Sequence, residues 1–233
     1  NVRDNCGVLD LPGFSRFNLS GAGASQYLLG LITGGLPKIG RMNLAYFSDT
    51  RGRILTEMSV IRHEHDRFTL ITAASAQWHD FDILNNGLPE LLTLKDNTNE
   101  TSTLIVTGPK SRDVLNAIGT DADLSLGWLS HQSAVLADQG CMLVRVSFAG
   151  ELGWEVHAEN TKIPILYDAV ISAGAKPFGM YALNSLRIEK GYRAWKGDLS
   201  TDYSLFEGGL GRFVKLDKVE NFPGKAALQS EMQ

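Results

Sequence analysis

Only two cysteines occur in the 233 residues, Cys6 and Cys141, far apart and without partners at metal-ligand spacing. That excludes a disulfide scaffold and a zinc ribbon, and it suits a reducing compartment. Excess positive charge is missing too. The 22 Lys and Arg stand against 26 Asp and Glu, giving a net charge of −4, and the basic residues form no run. A general nucleic-acid or anionic-membrane binder needs a basic surplus to neutralise phosphates, and none exists here. No apolar stretch approaches the length that spans a bilayer, because Gly, Thr or Ser interrupts the longest ones. Repeats and low-complexity segments are absent. So are the Walker loop, HExxH and GxSxG. Ser20-Gly21-Ala22-Gly23 lacks the third glycine of a dinucleotide loop. His63 and His65 flank an acid in a polar turn, and His79, His131 and His157 have no matching Ser or Cys nucleophile motif; no metal is expected. The chain begins Asn1-Val2-Arg3-Asp4, without an initiator Met or a signal sequence, and it is expected to be a segment of something longer.

What is present is an ordinary globular composition, 43% hydrophobic and 21% charged. A chain of this length buries roughly 70–75% of its unfolded surface and needs no covalent staple. Short strands and helices alternate. Strand patterns cover Ser15–Leu19, Met42–Phe47, Ile54–Arg62 and Phe68–Ile71, then Thr103–Thr107, Ser133–Ala137, Met142–Phe148 and Trp154–His157. On the third of these, Ile54, Met58 and Val60 face one side, and Glu57 and Ser59 the other. Helical patterns cover residues 22–29 with Ser20 as N-cap, Gln77–Asn85, Lys110–Ala117, Thr161–Ser172 and Tyr181–Lys190. Adjacent hairpins with intervening helices predict an α+β fold, not a doubly wound parallel sheet. The polar link near 95–100 either separates lobes 1–96 and 97–233 or is a surface loop of one domain. The four tryptophans, Trp78, Trp128, Trp154 and Trp195, show no repeat spacing, and core packing is the ordinary expectation for each.

Six segments in order, spanning almost the whole chain, carry a family likeness. They are Gly7-Val8-Leu9-Asp10-Leu11 with Phe14-Ser15-Arg16-Phe17; Thr50-Arg51-Gly52-Arg53-Ile54-Leu55-Thr56-Glu57; and Val106-Thr107-Gly108-Pro109-Lys110-Ser111. Then come Ser147-Phe148-Ala149-Gly150-Glu151-Leu152-Gly153-Trp154-Glu155; Ser185-Leu186-Arg187-Ile188-Glu189-Lys190-Gly191-Tyr192-Arg193-Ala194-Trp195; and Glu207-Gly208-Gly209-Leu210-Gly211 with Phe222-Pro223-Gly224. Together they resemble the folate-binding aminomethyltransferase module of the glycine cleavage T-protein superfamily. The likeness is strongest to the C-terminal module of dimethylglycine and sarcosine dehydrogenases. It implies a three-lobed α+β body, with mixed sheets and helices in lobes around a central pocket that takes tetrahydrofolate pterin-first. It further implies that residues 1–233 are one such module. The C-terminal barrel and the flavin domain, with its FAD, lie outside the chain. The partner is a flavin-dependent oxidase or dehydrogenase domain or subunit, and the setting is the bacterial cytoplasm or the mitochondrial matrix.

The resemblance also assigns residues. Glu151 takes the position of the pterin-binding acid, where one carboxylate matches an N–H and amine edge with two parallel hydrogen bonds; otherwise it is a hairpin-turn acid facing water. Glu57 stands where the family usually carries a catalytic Asp that helps N10 lose its proton; otherwise it is a solvent-facing strand residue. Glu keeps the charge but adds a methylene. Arg187 falls in the cleft wall, its alternative being a salt bridge to Glu155 or Glu189. Trp195 stacks on the ligand or packs in the core, and Tyr46 reaches the same pocket. Ala74-Ser75 replace an Asn common in T-proteins, which favours the dehydrogenase branch. The implied function is capture of a methylene unit from oxidised dimethylglycine- or sarcosine-type amines as 5,10-methylene-tetrahydrofolate. The alternatives are a non-catalytic folate-binding or regulatory subunit on the same scaffold, and a methyltransferase or demethylase acting on another donor.

Overall fold

The computed structural model describes residues 1–232. In chain order its elements are β1 (Gly7–Asp10), β2 (Phe14–Ser20), α1 (Ala24–Leu29), β3 (Arg41–Ser48), β4 (Ile54–Glu64), β5 (Arg67–Ala73), α2 (Gln77–Asn85) and β6 (Thr93–Asp96). There follow β7 (Thr101–Thr107), α3 (Ser111–Ala117), β8 (His131–Leu136), β9 (Gln139–Val144), β10 (Gly153–Glu159), α4 (Ile163–Ser172), β11 (Lys176–Pro177), α5 (Met180–Glu189) and α6 (Lys225–Glu231). The class is α+β. The chain divides into two compact units, Asn1–Phe14 with Asn97–Tyr192, and Ser15–Asp96 with the segment from Arg193 on. The break between residues 96 and 97 lies in the polar link. The expected lobes 1–96 and 97–233 are nevertheless corrected at both ends. The first 14 residues join the later unit because β1 pairs along its whole length with β7. The last forty or so residues return to the earlier unit because they cover its sheet.

The first unit is a six-stranded sheet in the order β11-β1-β7-β10-β9-β8, antiparallel except for the β1/β11 pair. β7 lies at its centre, and all but the first of its residues are buried. Alternate side chains explain this, since successive residues point to opposite faces. Leu104 and Val106 pack with Trp154, Leu166 and Val170 on one face. Ile105 packs with Leu9 and Leu183 on the other. A strand covered on both sides loses the polar alternation that marks a half-exposed one.

The second unit is a five-stranded sheet in the order β3-β4-β5-β2-β6. Phe17, Phe47, Met58, Val60 and Leu70 form the core on one face. The opposite face of β3 carries Tyr46. It is covered by a cluster of Leu199, Leu205, Leu210 and Phe222, with Trp195 and Phe213 packed against it. The α1 cap differs from expectation. Ser20 is the last residue of β2, and Gly23 precedes the helix. The amides of Gly23 and Ser25 instead donate to the Asp66 carboxylate at 3.2 and 2.8 Å, so the cap comes from the β4–β5 turn. Two tryptophans are not core residues: Trp78 and Trp128 are exposed. In α2 the inward stripe is Asp80 and Leu84, one turn apart, which leaves Trp78 off the buried face.

Candidate functional site

In the first unit, β9 ends at Val144, well before the expected Phe148, and the chain bends through residues 148–152 before β10 starts at Gly153. Gly150 makes the bend possible. Its φ is +75°, and a Cβ there would lie 2.3 Å from Lys190 Cγ. Glu151 follows and is half-buried. Its Oε1 accepts from Arg3 Nη1 at 2.7 Å, and Lys190 Nζ lies 3.5 Å from the same oxygen. The carboxylate is thus neither a free turn acid in water nor deeply buried; it is held by two cations. Arg3 is absent from the sequence-level site because its partner stands 148 positions away, a separation no local pattern reports.

Arg187 is buried on α5. Its Nε and Nη2 donate to Asn184 Oδ1 at 2.9 and 2.6 Å, and Nη1 donates to the Tyr192 carbonyl at 2.8 Å. The guanidinium therefore ties the helix to the turn that follows it. The two acids considered as its partners are engaged elsewhere: Glu189 with Arg3 at 2.7 Å, and Glu155 with His157 at 3.1 Å.

In the second unit, Tyr46 and Glu57 stand directly opposite each other in the β3/β4 ladder, so both side chains leave the same face. The Tyr46 hydroxyl and the Glu57 carboxylate face each other, and each perturbs the other's proton affinity. Glu57 Oε2 is buried and has no hydrogen-bond partner. Burial raises the proton affinity of this carboxyl above the ordinary range, and the Tyr46 hydroxyl works against that rise. Burial likewise pushes the Tyr46 phenol far up. The Glu57 charge adds to that, while Arg212 and Arg193 oppose it. Tyr46 is held further by Phe213, whose ring centroid is 5.0 Å away. Glu57 is therefore not a solvent-facing strand residue; the segment from Arg193 on roofs its face of the sheet. Trp195 packs against the same cluster as Tyr46, and its indole Nε1 is buried without an acceptor. The structure thus brings Tyr46, Glu57 and Trp195 into one unit, and Glu151 and Arg187 into the other.

Comparison with known proteins fits this architecture. The GCVT N-terminal domain family matches residues 1–218. Mitochondrial dimethylglycine dehydrogenase of Rattus norvegicus is 34% identical over 238 residues, covering 98% of this chain and 28% of that protein. The aminomethyltransferase of Caldanaerobacter subterraneus is 28% identical over 241 residues, covering 100% of this chain and 64% of the relative. The chain thus spans under two thirds of the length of either. The crystal structure of glycine cleavage system aminomethyltransferase T from Bartonella henselae superposes with a TM-score of 0.90 at 22% identity, over 100% of this chain and 64% of that one. That is a match of fold. With 218 consecutive residues matched, the chain belongs to the glycine cleavage T-protein, or aminomethyltransferase, family and is related to the dimethylglycine and sarcosine dehydrogenases.

Proposed function

We propose that this chain is a tetrahydrofolate-binding module for one-carbon transfer. The observation that carries the reading is Glu57, a carboxylate with one buried oxygen unpartnered, its proton affinity raised, and a tyrosine hydroxyl facing it. A buried polar atom left without a partner costs about 1–3 kcal/mol, an expense typical of sites built for a ligand. The Trp195 N–H is a second such atom, a donor in the same unit. A reduced pterin offers N–H donors and a carbonyl acceptor, so an orphaned acceptor and an orphaned donor suit its chemistry.

Bound tetrahydrofolate would supply the nitrogens that take up a one-carbon unit, giving 5,10-methylene-tetrahydrofolate. Glu57, with its proton affinity lifted above the ordinary carboxyl range by burial, in its ionised form places negative charge beside developing positive charge and then takes up the proton that a reacting nitrogen loses. Tyr46 faces that carboxylate. Glu151 presents its carboxylate to the N–H edge of the pterin. Arg187 keeps α5 and its following turn in shape, and Trp195 offers a ring face and an N–H. Each assignment rests on the geometry of its own unit.

The donor in this reading is an oxidised dimethylglycine- or sarcosine-type amine, produced at an FAD-bearing domain or subunit outside the chain. Supporting it are the likeness to dimethylglycine dehydrogenases and the 28% of the rat protein that the chain spans. The setting is then the mitochondrial matrix or a bacterial cytoplasm.

Calorimetric titration with tetrahydrofolate, followed by condensation of tetrahydrofolate with formaldehyde, tests the reading. Binding by the wild type, weakened at least tenfold in Glu151→Ala, is expected, together with an accelerated condensation that Glu57→Gln loses. Absence of binding would sink the proposal. Tight binding with no acceleration would favour the non-catalytic folate carrier.

A further inference from the structure

We propose that Arg3 is the positioning residue for Glu151, setting the carboxylate in the orientation that engages the ligand; this rests on the reading of Glu151 as the pterin-binding acid. The Arg3 guanidinium has all five N–H donors in use. Nη1 donates to Glu151 Oε1 at 2.7 Å and to the Ala149 carbonyl at 2.8 Å. Nη2 donates to the Leu186 carbonyl at 3.0 Å and to Glu189 Oε2 at 2.7 Å, and Nε reaches the same Glu189 oxygen at 3.2 Å. One side chain therefore joins the 148–152 bend to α5 and fixes the acid within the bend.

The planar fork matters here. A guanidinium presents its donors in a rigid array, so two of them anchored on backbone carbonyls fix the direction of the third, toward Glu151. The contact uses Oε1 alone. Lys190 approaches the same oxygen at 3.5 Å, and its side chain crosses Gly150, where no Cβ fits. Oε2 takes part in neither contact. The carboxylate is thus held at one oxygen and presented at the other. This revises the expectation that both oxygens of Glu151 are equally free for two parallel bonds to a pterin edge: the oxygen on Arg3 keeps at most one lone pair for a ligand, and Oε2 carries the main bond.

A purely structural Arg3 would hold the bend in place whether or not position 151 carries an acid. A positioning Arg3 acts through that acid alone. A double-mutant cycle separates the two. Tetrahydrofolate dissociation constants are measured by calorimetry on wild type, Arg3→Met, Glu151→Ala and the double variant. The expected result is a loss of about tenfold for Arg3→Met in the wild-type background, the worth of one charge-assisted hydrogen bond. In the Glu151→Ala background the same change is expected to cost less than about twofold. Arg3→Lys, which keeps the charge but not the fork, should recover part of the loss. It replaces Arg3→Met in the cycle if that variant fails to fold. Equal losses in both backgrounds would make Arg3 structural and overturn the proposal. So would unchanged binding in Arg3→Met alongside weakened binding in Glu151→Ala, with the folate reading left standing. Wild-type affinity in Glu151→Ala would remove the anchor itself, and the role of Arg3 with it.

Discussion

Glu57→Gln should make the protein more stable while taking away its chemistry. The wild-type carboxyl is costly to ionise where it stands. Burial raises its proton affinity, the Tyr46 hydroxyl offsets only part of this, and Oε2 is buried without a partner. The group binds its proton more tightly in the folded chain than in the unfolded chain. It costs nothing below the unfolded carboxyl's own titration, near 4.3. As the pH rises from there through the folded value, folding must strip a proton that the native state prefers to keep, and stability is lost. Glutamine has the same shape, still faces Tyr46 and never ionises. Its extra N–H is a neutral buried donor, cheaper than a buried charge. From the roughly 1–3 kcal/mol cost of an unsatisfied buried group, less the cost of that new donor, the net gain at pH 8 is about 1 kcal/mol. For a chain of this size that corresponds to about 2–4 °C in Tm. Scanning calorimetry of wild type and variant from pH 4.5 to 8.5 reads it directly. The two melting temperatures should converge at the acid end and separate as the pH rises. A variant less stable than wild type at pH 8.5, or a gap independent of pH, would refute the idea that this carboxylate is held against its own solvation for a functional end.

Asp66→Ala removes the cap from α1. The Ser25 and Gly23 amides and His65 all bind that carboxylate and hold its proton affinity well below the usual range, the Ser25 amide most of all. About 1 kcal/mol should be lost at neutral pH. Because the folded value is depressed, this contribution is present above the unfolded titration near 3.9 and fades as the pH falls below it. The melting temperatures of variant and wild type should therefore approach each other in acid. Lys218→Met breaks a different clasp. The Lys218 Nζ donates to the carbonyls of Leu29, Ile32 and Gly34 at 2.7, 2.5 and 3.2 Å, and lies 4.7 Å from the Phe222 ring centroid. Removing it leaves those carbonyls to water or to nothing, so thermal melting should drop by about 4–8 °C, equivalent to about 2 kcal/mol. An unchanged Tm would show that the segment from Arg193 on is held by its apolar cluster alone.

Much of the architecture is readable along the chain because its strands and helices obey local rules. β4 alternates as written from Glu57 on, with Met58 and Val60 in the core and Glu57 on the other face, but Ile54 departs from the expected side and joins the cluster around Tyr46, because the β3/β4 register shifts between Phe47 and Ser48. α2 spans Gln77–Asn85, as its pattern predicts. The elements that escape are those whose existence depends on a distant partner. β1 has four residues, three of them buried, and forms a strand only because β7 lies beside it. β6 is polar and sits where a link is expected, yet it pairs with β2 at the sheet edge. β11 is two residues long and pairs with β1 in parallel. Such short segments carry too few side chains to show a period, and a long-range partner leaves no mark on neighbouring positions.

The same asymmetry governs the site. Its acids are legible because bends and ladders have local sequence signatures: Gly150 before Glu151, and the alternation of β4 around Glu57. The environment that gives an acid its chemistry is not local. Glu57 reads as solvent-facing from its own strand, since alternation reports which residues share a face and says nothing of what covers that face. The cover comes from Trp195, Leu205, Leu210 and Phe213, well over a hundred residues downstream. Glu151 likewise reads as a free turn acid until Arg3, from the other end of its unit, fills one of its oxygens. Residue type at a motif position thus nominates the groups for the proposed chemistry. Its proton affinity and its free lone pairs are set by segments that carry no motif, and those segments decide whether a carboxylate at such a position is a catalyst, an anchor or a surface charge.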